Sequence, residues 1–200
     1  SGLRYRRYNK TIADMSLRQL SKAILPHFKT GQQNVLNLIS TDSANGKSYL
    51  AQELENYWIS IGLQVRRLTY DEDFLADDSK FIMSSSIKDL CPDILPDEIA
   101  IVEYPNLNDH SIPSSLLNMG TVNLMVTRAN RTWKDIDQKA LKEVQSQLDD
   151  QNTLFMYLTE SSRYAVEEFV GQLPPYTRFS NFVYRISQLG LTATENSHAS

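Results

Sequence analysis

Gly46-Lys47-Ser48 sets a lysine and a hydroxyl directly after a glycine, a combination that suits the binding of an anion. Backbone N–H groups at a helix head converge on a phosphate, the lysine adds mobile positive charge, and the hydroxyl reaches a magnesium ion. That chemistry requires the triplet to stand at the end of a strand and the start of a helix. The flanking sequence supplies both: Val35, Leu36, Leu38 and Ile39 form an apolar run that reads as a buried strand, and Leu50, Leu54, Tyr57, Trp58 and Ile61 recur at helical spacing afterwards. Between them Ser40 to Asn45 make a turn of phosphate size. The nucleotide-binding candidates are therefore Asp42, Ser43, Ala44, Asn45, Gly46, Lys47 and Ser48. The full phosphate-loop pattern asks for a glycine five positions before Gly46, where Thr41 stands, and Ala44 resists any backbone angle with positive φ.

Two other strand ends carry carboxylates. Gln64 to Tyr70 reads as a short strand leading into the acidic cluster Asp71, Glu72, Asp73, Asp77 and Asp78, and Ile99 to Val102 is a continuous apolar run ending at Glu103-Tyr104-Pro105. A run of that kind suits a strand buried on both faces of a parallel sheet. Val122, Leu124, Met125 and Val126 predict a further strand, as do Leu154, Phe155, Tyr157 and Leu158.

Helical patterns alternate with these strands. Ser16 with Gln19 resembles a capping box before Leu17, Leu20, Ala23 and Ile24, and Pro26 and Gly31 stop that helix. Residues 3–14 are polar and basic without clear period, as an arm or a loosely docked helix would be. Ser111 to Met119 and Arg163 to Val170 predict helices. Thr132 with Asp135 predicts a cap for a helix whose apolar face is Trp133, Ile136, Ala140, Val144 and Leu148. Between Lys80 and Asp97 the pattern is weak around one short helix. Trp58 and Trp133 are expected as core aromatics. The whole predicts a three-layer α/β/α domain with a mostly parallel sheet, of the phosphate-loop NTPase type, with its ligand site at the carboxyl ends of the strands. Residues 1–30 form a basic arm and helix, 31–190 the α/β domain, and 191–200 a flexible tail.

With 200 residues, 41% hydrophobic and 22% charged, the chain has enough apolar surface for one core. A net charge of −4 argues against a general nucleic-acid binder, which needs a basic face. Arg4, Arg6, Arg7 and Lys10 lie within the first ten residues beside Tyr5 and Tyr8, leaving the rest at a formal −8 with 16 basic against 24 acidic residues. That segment is a solvated arm or one that lies against an anionic membrane surface. The single cysteine, Cys91, and the scattered His27, His110 and His198 exclude an internal disulfide and predict no structural metal and a reducing compartment. No apolar run approaches the ~20 residues of a membrane span, and no signal peptide opens the chain, which reads as cytosolic. Ser1-Gly2 reads as a cloning remnant on a trimmed longer protein.

Taken in order, these motifs resemble the bacterial protein-tyrosine kinases (BY-kinases), whose cytoplasmic domain is joined to membrane proteins governing capsular and exopolysaccharide chain length and export. The resemblance runs from about Leu17 to about Leu191. It rests on Leu38 to Ser48 as the first Walker motif, Gln64 to Asp73 at the second strand, Ile99 to Pro105 as the Walker B strand, Val122 to Arg128 with the following helix, and Ala165 to Tyr176 near the end. It implies ATP and Mg2+ as cofactors, with Lys47 on the phosphates as a catalytic residue and Ser48, Asp71 and Glu103 on the metal. Asp71 would also help activate a tyrosine hydroxyl. The family's strand ends Asp-x-Asp, whereas this chain has Thr69-Tyr70-Asp71, and a threonine supplies neither charge nor useful basicity. Glu103 replaces the Walker B aspartate with a side chain one methylene longer, and Asn106 replaces a second proline.

The family's C-terminal tyrosine cluster is missing, with Tyr176 and Tyr184 the nearest, and its glutamate- and arginine-rich assembly motif survives only as an echo in Leu17 to Lys22. The expected function is thus a kinase-like domain on the cytoplasmic side of the inner membrane. Its nucleotide site would be degenerate, with tyrosine-kinase activity weakened or lost. Expected partners are a membrane-anchored parent chain, further copies of itself and the polysaccharide export machinery, with no nucleic acid. The alternatives are a non-catalytic membrane-proximal scaffold or oligomerisation domain and, last, a membrane-recruited partitioning-type ATPase. The latter class places a second lysine near the loop start, where this chain has Thr41.

Overall fold

In a computed structural model, residues 2–74 and 78–161 are described, and the expected helix at 163–170, the motif at 165–176 and the tail lie outside them. The chain divides into two units, residues 17–160 and residues 1–16 with 161–200. The first unit contains the sheet. Its five parallel strands are β1 (Asn34–Ser40), β2 (Val65–Thr69), β3 (Ile99–Asn106), β4 (Val122–Arg128) and β5 (Leu154–Thr159), in the spatial order β2-β3-β1-β4-β5.

Every residue of β1 is buried, because it lies in the middle of the sheet with helices on both faces. Alternation along the strands separates two apolar layers. Leu36 and Leu38 join Ile101, Leu124 and Val126 beneath α2 (Lys47–Ser60), which contributes Leu50, Leu54 and Trp58, and beneath Leu17 and Ile24 of α1 (Gly2–Ile24). Val35 and Ile39 join Val102, Tyr104 and Met125 on the other face. There α3 (Asp78–Met83), α4 (Ile87–Leu90), α5 (Ser114–Asn118) and α6 (Asp135–Gln147) supply Phe81, Leu90, Leu116 and Val144. This is the three-layer α/β/α arrangement expected from the strand and helix patterns.

Several local expectations are corrected. The helix before β1 begins at Gly2 rather than Ser16, so the Ser16–Gln19 pair lies inside a helix and caps nothing. No glycine or proline interrupts residues 3–24, and the run is rich in arginine, leucine and lysine, which favour helix. The region from Lys80 to Asp97 holds α4 after the end of α3, with Ser86 and Asp89 forming a capping box on α4.

On α6 the cap is Lys134, whose N–H donates to Asp137 at 2.9 Å, and Asp137, Ala140 and Val144 face inward. Ile136 is exposed and Trp133 only half-buried, whereas Trp58 is fully buried and donates from Nε1 to Ser21 Oγ at 2.8 Å. Burial of Asp137 rotates α6 away from the face that its apolar residues alone predict.

A polar contact also sits inside the core. Asn37 on β1 donates from Nδ2 to the Leu116 carbonyl at 3.0 Å and to Asn123 Oδ1 at 2.8 Å, tying the end of α5 to the sheet. Gly120 makes room for it: an added Cβ would stand 2.3 Å from that Nδ2 and 2.9 Å from Cγ. Asn37 is fully buried and cannot retreat. Gly120→Ala is therefore expected to destabilise the protein by about 1–3 kcal/mol, read as a lower urea midpoint with unchanged slope. An unchanged midpoint would show that Asn37 has slack this packing does not provide.

Candidate phosphate-binding site

The chain leaves β1 at Ser40, makes a 3-10 turn over Ser43–Asn45 and enters α2 through Gly46. Gly46 has φ 78°, a left-handed conformation that a side chain would disfavour, and it is the position within the loop where the backbone requires this. The loop consequently stands at the carboxyl edge of the sheet, at the head of a 14-residue helix whose first N–H groups have no side-chain cap.

Lys47 does not extend into solvent. It is buried, and its ammonium donates to the backbone carbonyl of Tyr104 at the end of β3, while the Ser48 hydroxyl donates to Glu103 Oε1. Register explains why these groups meet. β1 pairs with β3 at Leu38/Glu103 and then at Ser40/Asn106, so the ladder slips by one residue, and Pro105, which has no N–H to give, lies within the slip. Glu103 shares a face with Ile99 and Ile101, the face that α2 covers.

Burial pushes the Lys47 ammonium below its usual pKa, and the Glu103 and Asp71 carboxylates only partly offset this. Asp71 itself is exposed on a π-helical turn, Tyr70–Phe74, that follows β2. Thr69 ends β2 opposite Glu103, and its N–H donates to Asp73 Oδ2 at 2.6 Å, so Asp73 caps the strand end.

The structure thus brings Ser48 into contact with Glu103 and Lys47 into contact with the Tyr104 carbonyl, and it sets Glu103 and Asp71 within electrostatic reach of Lys47. Ser43 is exposed and Asp42 half-buried. Asn45 is fully buried with neither amide atom partnered among the described residues, and the same holds for Glu103 Oε2. Orphaned polar atoms beside a helix head suit a phosphate ligand with its cation. Lys47 and the first N–H groups of α2 would hold the phosphate, and Ser48 with Glu103 the magnesium. Among the described residues no three His, Cys, Asp or Glu side chains gather to bind a metal alone. Magnesium in such a site would depend on phosphate oxygens and water for its remaining positions.

Sequence reasoning missed a second set of contacts around the loop. Arg131, beyond β4, donates from Nη2 to both oxygens of Asp137 at 2.9 Å and from Nη1 to Thr41 Oγ1 at 3.3 Å, and it lies 3.6 Å from Asp42 Oδ2. Thr159, at the end of β5, donates to the carbonyl of Asn45 at 2.9 Å. An aspartate at the helical spacing of Ala140 and Val144 was a legible signal for Asp137. Arg131 and Thr159 had none.

Fold and loop together define a parallel α/β domain with a strand–turn–helix loop at the carboxyl edge of its sheet. No protein-family model matches the chain, and no curated protein sequence matches it. Among solved structures it is similar to the kinase domain of Escherichia coli tyrosine kinase ETK, at 12% identity and a TM-score of 0.47, over 73% of this chain and 76% of that one. Among the described residues no helix is long and apolar enough to cross a membrane.

Proposed function

We propose that this chain is a nucleotide-responsive, kinase-like domain of the bacterial tyrosine-kinase type that has kept the phosphate loop and lost most phosphotransfer. The observation that carries the reading is the hydrogen bond from Ser48, at the head of α2, to Glu103, at the end of the neighbouring strand, with Lys47 held beside it on the Tyr104 carbonyl and within electrostatic reach of Glu103. Thr69 supports the loss of chemistry, since it stands where the resembling family places a carboxylate that helps activate the acceptor hydroxyl. By the same resemblance the domain serves a membrane-anchored protein of capsular or exopolysaccharide export. It would act on the cytoplasmic side of the inner membrane as a homo-oligomer, with ATP or ADP and Mg2+ as ligands.

Calorimetric titration with ADP and ATP, with and without magnesium, tests the core of this. Magnesium-assisted binding without phosphotyrosine after incubation with ATP is expected. Autophosphorylation would overturn the loss of catalysis, and absence of binding with both nucleotides would remove the phosphate-loop reading.

One observation favours the scaffold alternative: Lys47 and Ser48 already have protein partners. If that alternative holds, nucleotide is ignored while the protein self-associates in sedimentation or binds anionic vesicles.

A further inference from the structure

We propose that Arg131, Asp137 and Thr159 are positioning residues that brace the phosphate loop from the β4–β5 side and do the shaping that a glycine-rich sequence does elsewhere. This rests on the reading of the loop as a phosphate site. Thr41 occupies the glycine position of the full pattern and is buried. Its hydroxyl accepts from Arg131 Nη1 at 3.3 Å, and the same guanidinium holds both oxygens of Asp137 at 2.9 Å. The Asp137 side chain is 1% exposed and the Arg131 side chain 14%. Asp137 is held in turn by the Lys134 N–H at the head of α6. The loop start is therefore tied to a 13-residue helix through a buried guanidinium–carboxylate pair.

The loop end is tied separately. Thr159 Oγ1 donates to the Asn45 carbonyl at 2.9 Å and also lies 3.3 Å from the Thr127 carbonyl, so one hydroxyl spans β4, β5 and the turn. Its Cγ2 would stand 3.5 Å from a Cβ at Gly46.

A phosphate-loop lysine helps only if the N–H groups beside it already converge on the anion, because ordering them on binding consumes affinity. Glycines permit the shape without enforcing it. Here two tethers about four residues apart enforce it, and none of the three tethering side chains need touch the ligand. The departure at Thr41 is then a replacement of one device by another.

Titration calorimetry with Mg-ADP, together with amide hydrogen exchange of the ligand-free protein, separates this from the reading beneath it. Arg131→Met is expected to weaken ADP binding by about tenfold and to speed exchange across residues 42–48, with the second half of α2 unchanged. In a Thr41→Gly background the same substitution should have a smaller effect, since the tether is already cut. Thr159→Val removes a single hydroxyl and should speed exchange at Asn45 to Lys47, which keeps the idea testable if Arg131→Met does not fold. Wild-type exchange in both variants with unaltered affinity would overturn the brace. Wild-type protein that ignores ADP while both variants still loosen the loop would uphold the brace and sink only the nucleotide reading.

Discussion

Lys47→Met is expected to abolish most affinity for a phosphate ligand while making the ligand-free protein more stable, not less. The first effect follows from the chemistry of a truncated charge-assisted contact. Losing it costs about 2 kcal/mol or more, a fall of at least ~30-fold in affinity. The second follows from where the ammonium sits. Burial lowers the Lys47 pKa despite Glu103 and Asp71 nearby, so the folded protein holds the charged form less well than water does.

Methionine matches much of the length without the charge, so the variant is expected to melt at a higher temperature than wild type. The sign of the pH dependence is set by the same shift. With the folded-state pKa below the unfolded value of about 10.4, the unfolded chain binds more protons in the interval between them. Stability should then rise with pH through that interval in wild type, and this component should be missing in Lys47→Met. Calorimetric melts of the two proteins across alkaline pH provide the measurement. A lower melting temperature for the methionine variant would mean that the ammonium's contact with the Tyr104 carbonyl and its attraction to Glu103 outweigh its burial.

Asp137→Ala should produce the opposite picture, a large loss of stability. Among the described residues it would leave the Arg131 guanidinium, mostly buried, with the Thr41 hydroxyl and a 3.6 Å approach to Asp42. Removing one partner of a buried pair costs about 3–5 kcal/mol. The lower end is expected because Arg131 keeps some exposure and Asp42 partly compensates.

Burial raises the Asp137 pKa, but hydrogen bonds from the Lys134 N–H and the Thr41 hydroxyl, with the charge of Arg131, outweigh it and hold the carboxyl below the usual range. A depressed folded-state pKa contributes stability that is fully present above the unfolded value of about 3.9 and is lost as pH falls through the lower, folded value. Urea midpoints of wild type and Asp137→Asn should therefore converge as pH drops below about 4. Less than ~1 kcal/mol of loss in Asp137→Ala at neutral pH would mean that the pair is not the anchor the 2.9 Å contacts describe.

Much of the architecture was legible because it depends on short-range pattern. Apolar runs of strand length at Val35, Ile99, Val122 and Leu154, separated by helix-period segments, determine a parallel α/β sheet with little freedom. Gly46-Lys47-Ser48, bracketed by such a run and such a helix, determined where a turn enters the head of a helix. Errors fell where two local signals competed. Ile136 carried the apolar pattern of its helix, yet Asp137 is the residue inside, since a carboxylate with a buried arginine outbids a single exposed aliphatic contact.

What the chain could not reveal by itself is the company its loop residues keep. Glu103 is 55 residues from Ser48, Arg131 is 90 from Thr41, and Thr159 is 114 from Asn45. Strand order and register bring those residues together, and both are settled only when the sheet closes around β1. Hydrophobic periodicity places residues on a face, whereas a hydrogen bond between distant segments needs their relative positions to within a fraction of an ångström. The existence of a phosphate-sized turn was therefore written locally. The burial of its lysine, the partner of its hydroxyl and the tethers that shape it were decided by tertiary packing alone.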